Sequence, residues 1–295
     1  MARRYRRSAA SLAFDVLNYA FLVLLCLAFI YPILLMLSLS FSDSRVMGFA
    51  APRLVPQGFT VEAYATLLKS TKVLRYYANT VYYAGVGTVV LLTLTSMIAY
   101  ALTYRSFGGN KPITVYLVIT MFFSGGLIPY YLVVRRLGLI NTVWAMVLPG
   151  AIAAWNVMIF RTFFNTIPHS LKESAFMDGA GHARILFSVI LPLSKPLLAT
   201  FTLFSVVRFW NDWFQAVIFL REENRFPIQL FLRSLVVALD HWWWEILVPD
   251  TEKELITTRQ LKSAAVMITI TPILFVYPFL QKYFAKGILV GSIKG

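Results

Sequence analysis

Six stretches of this sequence are each long and apolar enough to cross a lipid bilayer as a helix. A hydrocarbon core about 30 Å thick requires roughly 20 predominantly apolar residues in an α-helix. Backbone N–H and C=O groups find no water there, so a helix, which satisfies them internally, is the expected conformation. We therefore predict an all-α, polytopic integral membrane protein with six transmembrane helices. The predicted spans cover residues 17–40, 80–104, 112–134, 142–164, 190–220 and 263–284.

The composition supports a membrane protein and argues against several other classes. Of the 295 residues, 59% are hydrophobic and 14% are charged, which differs from the balance of a soluble domain. The net charge of +14 would suit nucleic acid, but the basic residues punctuate the spans, so we expect no nucleic-acid partner. Cys26 is the only cysteine and the three histidines are scattered, which predicts neither a disulfide framework nor a metal site.

The charges before the first span predict the orientation. An even number of spans places both termini on one side, and Arg3, Arg4, Arg6 and Arg7 mark that side as cytoplasmic. The first apolar run is too long for a signal-peptide core, so we interpret it as an uncleaved signal-anchor. The predicted organisation is a basic cytoplasmic N-terminus (1–16), a single membrane domain (17–285) with a cytoplasmic loop at 165–189, and a cytoplasmic tail (286–295).

Two segments on the opposite side have surface character. FTVEAYATLLKSTKVLRYY (59–77) contains a capping threonine, Thr60, and mixes apolar with basic residues, as an interfacial helix does. DHWWWE (240–245) is either an aromatic anchor at the membrane interface or a contact surface for a partner or a sugar.

The loop between spans four and five contains the sequence PHSLKESAFMDGAG (168–181). Pro168 and Ser170 suit a helix start, and Ser170-Leu171-Lys172-Glu173 resembles a capping box. Leu171, Ala175 and Phe176 would share one face, and Gly179 and Gly181 would end the helix. We predict a short helix on the cytoplasmic surface, which is either an ordinary amphipathic loop helix or a docking element for another protein.

This loop resembles the EAA loop of permease subunits in binding-protein-dependent ABC importers. The resemblance rests on Glu173-Ser174-Ala175, Asp178-Gly179-Ala180, Phe187, Ile190, Leu191-Pro192 and Pro196, with Ser174 as a small-for-small departure from the family's alanine. Further stretches resemble the carbohydrate-uptake branch, and within it the permeases of complex-saccharide importers, including alginate-type ones. They are NT (79–80), TMFFSGGLIP (120–129), LGLINTVWAMVLPG (137–150), FWNDW (209–213) and KGILVGSIKG (286–295).

The resemblance implies that the helix is a cytoplasmic coupling helix that sits in a cleft of an ATP-hydrolysing subunit. The implied ATPase-coupling residues are Leu171, Glu173, Ser174, Ala175, Asp178, Gly179, Ala180 and Gly181. The implied partners are two ATP-binding subunits, a second homologous permease, and a periplasmic or extracellular solute-binding protein that delivers a saccharide. The implied location is the bacterial inner membrane, and the tail, which composition alone predicts to be disordered, would reach the ATPase dimer.

The chain itself has no G-x-x-x-x-G-K-[ST] phosphate loop. We therefore expect no cofactor here and no enzymatic activity, with ATP and Mg²⁺ bound by the partner ATPase subunits.

The fifth predicted span carries the charged residues of the span interiors, Lys195, Arg208 and Asp212. An ionised side chain at mid-membrane costs about 2.5–3.5 kcal/mol on insertion scales, so such residues usually face the bundle or water. Ser205, Arg208, Asp212 and Gln215, with Asn211 adjoining, fall at helical spacing and would form one polar stripe. The stripe would line a translocation pathway, with Arg208 and Asn211 donating to sugar hydroxyls or carboxylates. The alternative is an Arg208–Asp212 ion pair that fixes packing. The candidate pathway residues are Asn156, Ser205, Arg208, Asn211, Asp212 and Gln215.

The sequence thus predicts the permease subunit of an ATP-driven, alternating-access importer for an oligo- or polysaccharide, with acidic, alginate-like saccharides among the candidates. The alternative is an ion-coupled secondary transporter of a sugar-like solute. Such transporters use intramembrane acids and inverted repeats, and this chain offers Asp212 as an interior acid and no convincing repeat.

Overall fold

A computed structural model describes residues 9–47, 53–237 and 258–292 of the chain. Within those ranges the protein consists of helices joined by turns and contains no β-strand, apart from one isolated bridge between Ser42 and Phe59. The all-helical class predicted from the sequence is therefore confirmed. The chain forms two compact units, Met1–Ser70 with Leu239–Thr269, and Thr71–Ala238 with Ile270–Gly295.

The first unit contains the most apolar of the described helices. Helix α1 (Ala9–Ser40) reaches a mean hydropathy of 2.8 over an 18-residue window, and its middle is exposed on all sides, as a helix in contact with lipid would be. The end of α1 is packed, because Ser40 is fully buried and its Oγ lies 2.7 Å from the Tyr64 hydroxyl. The ring of Phe41 stacks on both Phe59 and Tyr64.

Two short helices follow α1 in this unit, α2 (Ser44–Met47) and α3 (Glu62–Lys69). Thr60 accepts a hydrogen bond from the Glu62 N–H at 3.2 Å, so it does satisfy a donor at the start of α3. The surface helix predicted for 59–77 is, however, interrupted. Ser70 has extended backbone, and serine is a favoured residue ahead of a new helix, so a second helix begins at Thr71.

The second unit is built around α4 (Thr71–Ala101). The helices that follow are α5 (Asn110–Phe122), α6 (Leu127–Arg136), α7 (Val143–Val147), α8 (Ala154–Thr166), α9 (His169–Met177), α10 (His182–Ile185), α11 (Leu191–Leu193), α12 (Lys195–Trp210), α13 (Phe214–Phe219) and α14 (Ile228–Val237). A π-helical turn (Leu186–Ile190) joins α10 to α11, and a 3₁₀ turn (Glu223–Arg225) precedes α14.

The core of this unit lies where α4 packs on α8 and α12. Gly87 allows the closest approach, because a Cβ atom there would collide with the ring of Phe209. A larger apolar cluster further along α4 includes the fully buried Phe160 and Phe164, whose rings meet edge to face, and Phe201, which packs on Phe160. Edge-to-face pairs of this kind contribute stability beyond their buried area.

Three helices of the described residues are long and apolar enough to cross a membrane: Ser11–Ser40, Thr71–Ala101 and Arg259–Val276. A fourth candidate is a pair, His182–Leu193 and Lys195–Trp210, bent by 86°. The structure corrects the continuity of the predicted spans 112–134, 142–164 and 190–220. The first is interrupted near Gly126 (φ 82°) and the second near Gly150 (φ 93°), both in the left-handed region that favours glycine. The third is bent at Ser194 and interrupted after Trp210.

The last helix, α15 (Thr258–Ser292), contains Pro272 and Pro278. Its backbone continues past residue 286, so the start of the predicted tail is helical, whereas composition alone predicts disorder. The N-terminal arginines and the DHWWWE segment lie outside the described residues.

Candidate functional site

Helix α9 begins at His169, two residues before the start at Leu171 that an N-cap at Ser170 predicts. Pro168 occupies the N-cap position, and no side chain caps the helix. The predicted capping box is therefore wrong. Glu173 instead lies 3.0 Å from Nδ1 of His169, one turn back on the helix surface, and the Ser174 hydroxyl donates to the Ser170 carbonyl. Because helix residues four apart are neighbours, Glu173 reaches His169 more easily than it reaches the start of the helix.

The end of α9 is set by a glycine, as predicted. Gly179 has φ of 77°, and its N–H donates to the Phe176 carbonyl while the Ala180 N–H donates to the Ala175 carbonyl. These two bonds form a Schellman motif, which satisfies the last carbonyls of the helix. Gly181 has extended backbone and precedes α10, so it begins the next helix and does not end α9.

One side chain of α9 is buried, and it is not one of the apolar residues predicted to share a face. In α9, all of whose residues are described, Lys172 is the only buried side chain, at 3% exposure. It lies at helical spacing from the half-buried Ala175 and from Phe176. Leu171 and Phe176 are both exposed, at 43% and 39%. Leu171, Ser174 and the 89% exposed Met177 form the outward face, and Asp178 follows them at its edge. An exposed face with apolar members is one that a partner could cover.

Lys172 points toward an aromatic cluster that sequence reasoning missed. Its Nζ lies 5.7 Å from the centre of the Tyr104 ring, a cation–π contact, and burial lowers the pKa of its ammonium group. Tyr104 also meets Tyr100, Phe176 and His182 edge to face. No local pattern marks this cluster, because its members come from three separate segments.

The predicted polar stripe of the fifth span does not lie on one continuous helix. Helix α12 ends at Trp210, and Asn211 and Asp212 belong to a turn before α13. The Asp212 carboxylate accepts the Gln215 N–H at 3.1 Å and so satisfies a backbone donor in the first turn of α13. Ser205 is buried at 3% exposure, while Arg208 and Asn211 are exposed.

Arg208 has a different partner from the predicted one. The structure describes both Arg208 and Asp212, and no ion pair joins them. Arg208 Nη1 instead donates to the Gly150 carbonyl at 2.8 Å, and its guanidinium lies 5.3 Å from the Phe209 ring centre. A Cβ atom at Gly150 would collide with this guanidinium. The bond thus joins the glycine turn before α8 to the end of α12.

The remaining predicted pathway residues are more dispersed. Asn211 accepts a hydrogen bond from Gln229 at 3.0 Å, and Gln215 keeps a buried Oε1 without a hydrogen-bond partner. Asn156 is half-buried in the first turn of α8. The structure therefore places these side chains at the breaks between α7 and α8 and between α12 and α13, with Arg208 between them.

A second polar group lies around the start of α4, which sequence reasoning also missed. Glu223 accepts from the Tyr76 hydroxyl at 2.5 Å and from Lys72 Nζ at 3.0 Å. Thr80 Oγ1 accepts the buried Ile228 N–H, and Asn79 donates to two carbonyls of the same loop. The acidic pair within REENRF (221–226) was the available signal. We name residues 221–228 the outer latch, after the side of the membrane on which the predicted orientation would place them.

The outer latch is held from a second direction by Asn141. This residue has φ of 60°, and its Oδ1 accepts the N–H groups of Arg221 and Glu222 at 3.2 Å each. A cavity of about 260 Å³ lies beside the latch, lined by Thr71, Lys72, Arg75, Tyr76, Glu223 and Asn224. The described ranges contain no group of three or more His, Cys, Asp or Glu that could hold a metal ion.

The sequence of this chain is similar to those of known transport proteins. The family model described as "Binding-protein-dependent transport system inner membrane component" matches residues 1–290. The polygalacturonan/rhamnogalacturonan transport system permease protein YtcP of Bacillus subtilis (strain 168) is 37% identical over 287 residues, which cover 96% of this chain and 98% of that protein. Protein LplC of the same organism is 38% identical, covering 97% and 96% respectively.

A solved structure is also similar over the whole chain. It is a crystal structure of a bacterial ABC transporter involved in the import of the acidic polysaccharide alginate. One of its chains superimposes with a TM-score of 0.87 and 30% sequence identity, and the match covers 96% of this chain and 100% of that chain.

Proposed function

Because the chain belongs to the family of binding-protein-dependent transport system inner membrane components, we propose that it is the permease subunit of an ATP-driven importer whose cargo is an acidic oligo- or polysaccharide. The family membership carries this proposal, since permeases of this kind are not enzymes and a partner chain hydrolyses ATP. Mg²⁺ and ATP accordingly bind to the partner, and this chain needs no cofactor. A solute-binding protein delivers the saccharide.

The acidic cargo is supported by the relatives and by one side chain. The YtcP relative is named for polygalacturonan and rhamnogalacturonan, and the similar crystal structure for alginate. Arg208 is exposed beside the glycine turn at Gly150, and a planar guanidinium is the side chain best suited to bind a carboxylate through two hydrogen bonds. Arg208 and Asn211 would then contact the saccharide directly.

The architecture that we propose has six spans and both termini in the cytoplasm. In that arrangement the α9–α10 segment (residues 168–185) faces the cytoplasm and the outer latch faces the other side. The interrupted helices α5–α6 and α7–α8 each form one broken span, which is tolerated where the freed backbone groups line a cavity or face protein. A second permease and two ATP-binding subunits complete the complex, which works by alternating access.

The exposed face of α9 provides the test of this assignment. Met177 is 89% exposed and Ala175, on the opposite face, is half-buried against the core. In a Cys26→Ser background, a Met177→Cys variant should cross-link to the ATP-binding subunit in membranes that are importing an oligogalacturonate. The matched variant Ala175→Cys should not, because Ala175 packs against the core, so that its part in coupling would be packing and not contact with that subunit. Failure of Met177→Cys to capture that subunit while import proceeds would show that α9 is not the coupling helix.

The energy source separates this function from that of an ion-coupled secondary transporter. Import into proteoliposomes should stop when ATP is withheld and should continue when the proton gradient is collapsed at constant ATP. The reverse pattern would establish the secondary transporter and refute the proposal.

A further inference from the structure

Tyr104 lies between the α9–α10 segment and the helices behind it, in the turn that follows α4. We propose that Tyr104 is the positioning residue that transmits displacement of the α9–α10 segment to α4, α5 and α8. The proposal deepens the proposed function, on which it rests, by assigning a residue of the permease to the transfer of movement. It depends on two sets of contacts, one on each side of the Tyr104 ring.

On the side of the α9–α10 segment, the ring meets three side chains. Its centre lies 5.1 Å from that of His182 and 6.4 Å from that of Phe176, both edge to face, and Lys172 Nζ lies 5.7 Å away. Phe176 and His182 also contact each other at 5.0 Å. Because Lys172 is the one buried side chain of α9, this cluster holds α9 against the rest of the protein, together with the packing of Ala175 on the core. A movement of α9 therefore acts on the Tyr104 ring.

On the other side, Tyr104 is hydrogen-bonded to the end of α4 and to the start of α5. Its hydroxyl lies 2.7 Å from the hydroxyl of Tyr100, and the two tyrosine rings meet edge to face. Its backbone carbonyl accepts a hydrogen bond from Asn110 Nδ2 at 2.8 Å. Asn110 Nδ2 also donates to the Leu102 carbonyl, so the turn after α4 is tied to the first residue of α5.

The connection continues to α8 through an arginine. Arg161 Nη2 donates to Asn110 Oδ1 at 3.2 Å, and Arg161 Nη1 donates to the Thr114 hydroxyl at 3.1 Å. Tyr104 is thus one bond from α5 and two bonds from α8. Chains of packed rings and hydrogen bonds carry coupling only when they can adopt more than one arrangement.

Space for a second arrangement exists beside the ring. A cavity of about 320 Å³ is lined by Tyr100, Ala101, Tyr104, Ser106, Phe107 and His182. Packed cores resist continuous deformation, so an aromatic ring with open volume on one side is a place where a small shift can become a discrete change. The ring can turn into this volume when α9 moves. Its edge-to-face contact with Tyr100 and the hydrogen bond at its backbone carbonyl then carry the displacement to α4 and α5.

The experiment uses the complete transporter in proteoliposomes, with its ATP-binding subunits and oligogalacturonate-loaded binding protein. Two quantities are measured, the saccharide imported per ATP hydrolysed and the stimulation of hydrolysis by the loaded binding protein. Tyr104→Ala should lower the import per ATP at least tenfold and abolish the stimulation, while the Met177→Cys cross-link to the ATP-binding subunit persists. Tyr104→Phe keeps the ring and should remain within about twofold of the unmodified protein. Tyr116→Ala removes an exposed tyrosine of α5 and should change neither quantity.

The outcomes separate this inference from the proposed function. If Tyr104→Ala assembles and keeps normal import per ATP, the inference is wrong although the transporter stands. If Tyr104→Ala fails to assemble, the variants Phe176→Ala and His182→Ala test the inference in its place. They remove the side chains of the α9–α10 segment that contact the Tyr104 ring and leave the turn after α4 intact. Uncoupling in both supports the inference, and normal coupling in both refutes it. Loss of ATP-dependent import in the unmodified complex would instead refute the proposed function.

Discussion

The Tyr76 hydroxyl donates a 2.5 Å hydrogen bond to the carboxylate of Glu223, which lies 147 residues further along the chain. Lys72, one turn before Tyr76, donates to the same carboxylate. The start of α4 and the outer latch are therefore joined by a charge-assisted hydrogen bond and an ion pair at one acidic group. These bonds add to those that Thr80, Asn79 and Asn141 make with the same loop.

Replacement of Glu223 should loosen the outer latch. Glu223→Gln leaves the shape of the side chain but removes its charge, so we expect a loss of about 1 kcal/mol in the free energy of unfolding, reduced from the value of a buried pair by solvent screening. The neighbour Glu222, which pairs with Arg225 at the exposed surface, provides the matched variant Glu222→Gln, with a smaller effect. Thermal unfolding of the purified transporter measures both. Equal effects of the two variants would show that the Tyr76 contact contributes nothing.

The same carboxylate makes the latch sensitive to pH. The hydrogen bond from Tyr76, followed by that from Lys72, lowers the pKa of Glu223 below its ordinary value of 4.5. Because the pKa is lower in the folded protein, the stabilisation is complete above the unfolded value and is lost as pH falls through the folded value. The melting temperature of the unmodified protein should therefore fall more steeply below pH 4.5 than that of Glu223→Gln. Parallel curves would contradict this.

Arg208 should select for acidic cargo. If its guanidinium binds a saccharide carboxylate, Arg208→Gln should reduce import of an oligogalacturonate at least about tenfold, the loss expected from one charge-assisted hydrogen bond, and affect a neutral oligosaccharide much less. Arg208→Lys keeps the charge without the planar guanidinium, so its import of the oligogalacturonate should lie between that of the unmodified protein and that of Arg208→Gln. Competition uptake of the two saccharides measures the ratio. An equal loss for both cargoes would assign Arg208 to packing.

Gly150 should act through Arg208. A side chain at Gly150 would strain the backbone, which has φ of 93°, and would also displace the Arg208 guanidinium. Gly138 has φ of 69° but no atom within contact distance of its Cβ position, so Gly138→Ala carries the backbone strain alone. Gly150→Ala should therefore reproduce the cargo selectivity of Arg208→Gln, and Gly138→Ala should not. If Gly150→Ala and Gly138→Ala gave the same ratio of acidic to neutral saccharide uptake, Gly150 would not act through Arg208.

Gly87 should be required for the packing of α4 on α12. Its Cβ would overlap the Phe209 ring, so Gly87→Ala should destabilise the protein by about 1–3 kcal/mol through overpacking. Gly85 lies on the exposed side of the same helix with no atom nearby, so Gly85→Ala should cause no loss. The difference in melting temperature between the two variants isolates the contact with Phe209. Equal melting temperatures would show that α12 can move aside at no cost.

Much of the fold and one end of the candidate site could be predicted from local sequence signals. The apolar runs of α1 and α4 indicate helices because hydrophobic length is a property of consecutive residues. Gly179 indicates the end of α9 because the left-handed conformation of a Schellman motif favours glycine. The capping box failed because Glu173 had a competing neighbour, His169, at the same helical distance.

The sequence shows glycines and prolines near Gly126 and Gly150, but it does not show whether they interrupt a span. Whether a glycine interrupts a helix in an apolar run depends on which groups satisfy the freed backbone. For Gly150 the carbonyl is satisfied by Arg208, 58 residues away. The prediction of a polar stripe on the fifth span was wrong for the same reason, because it required α12 to continue through Asn211.

The sequence by itself determined the helical class, the membrane setting, the motif of the α9–α10 segment and the residue types available for recognition. These features depend on residues within a few turns of one another. Only the tertiary structure decided that Lys172 is buried against Tyr104, that Arg208 bonds Gly150 in place of Asp212, and that Glu223 is held by Tyr76. Such pairings depend on how the helices pack, because packing brings together groups that chain order leaves 58 to 147 residues apart.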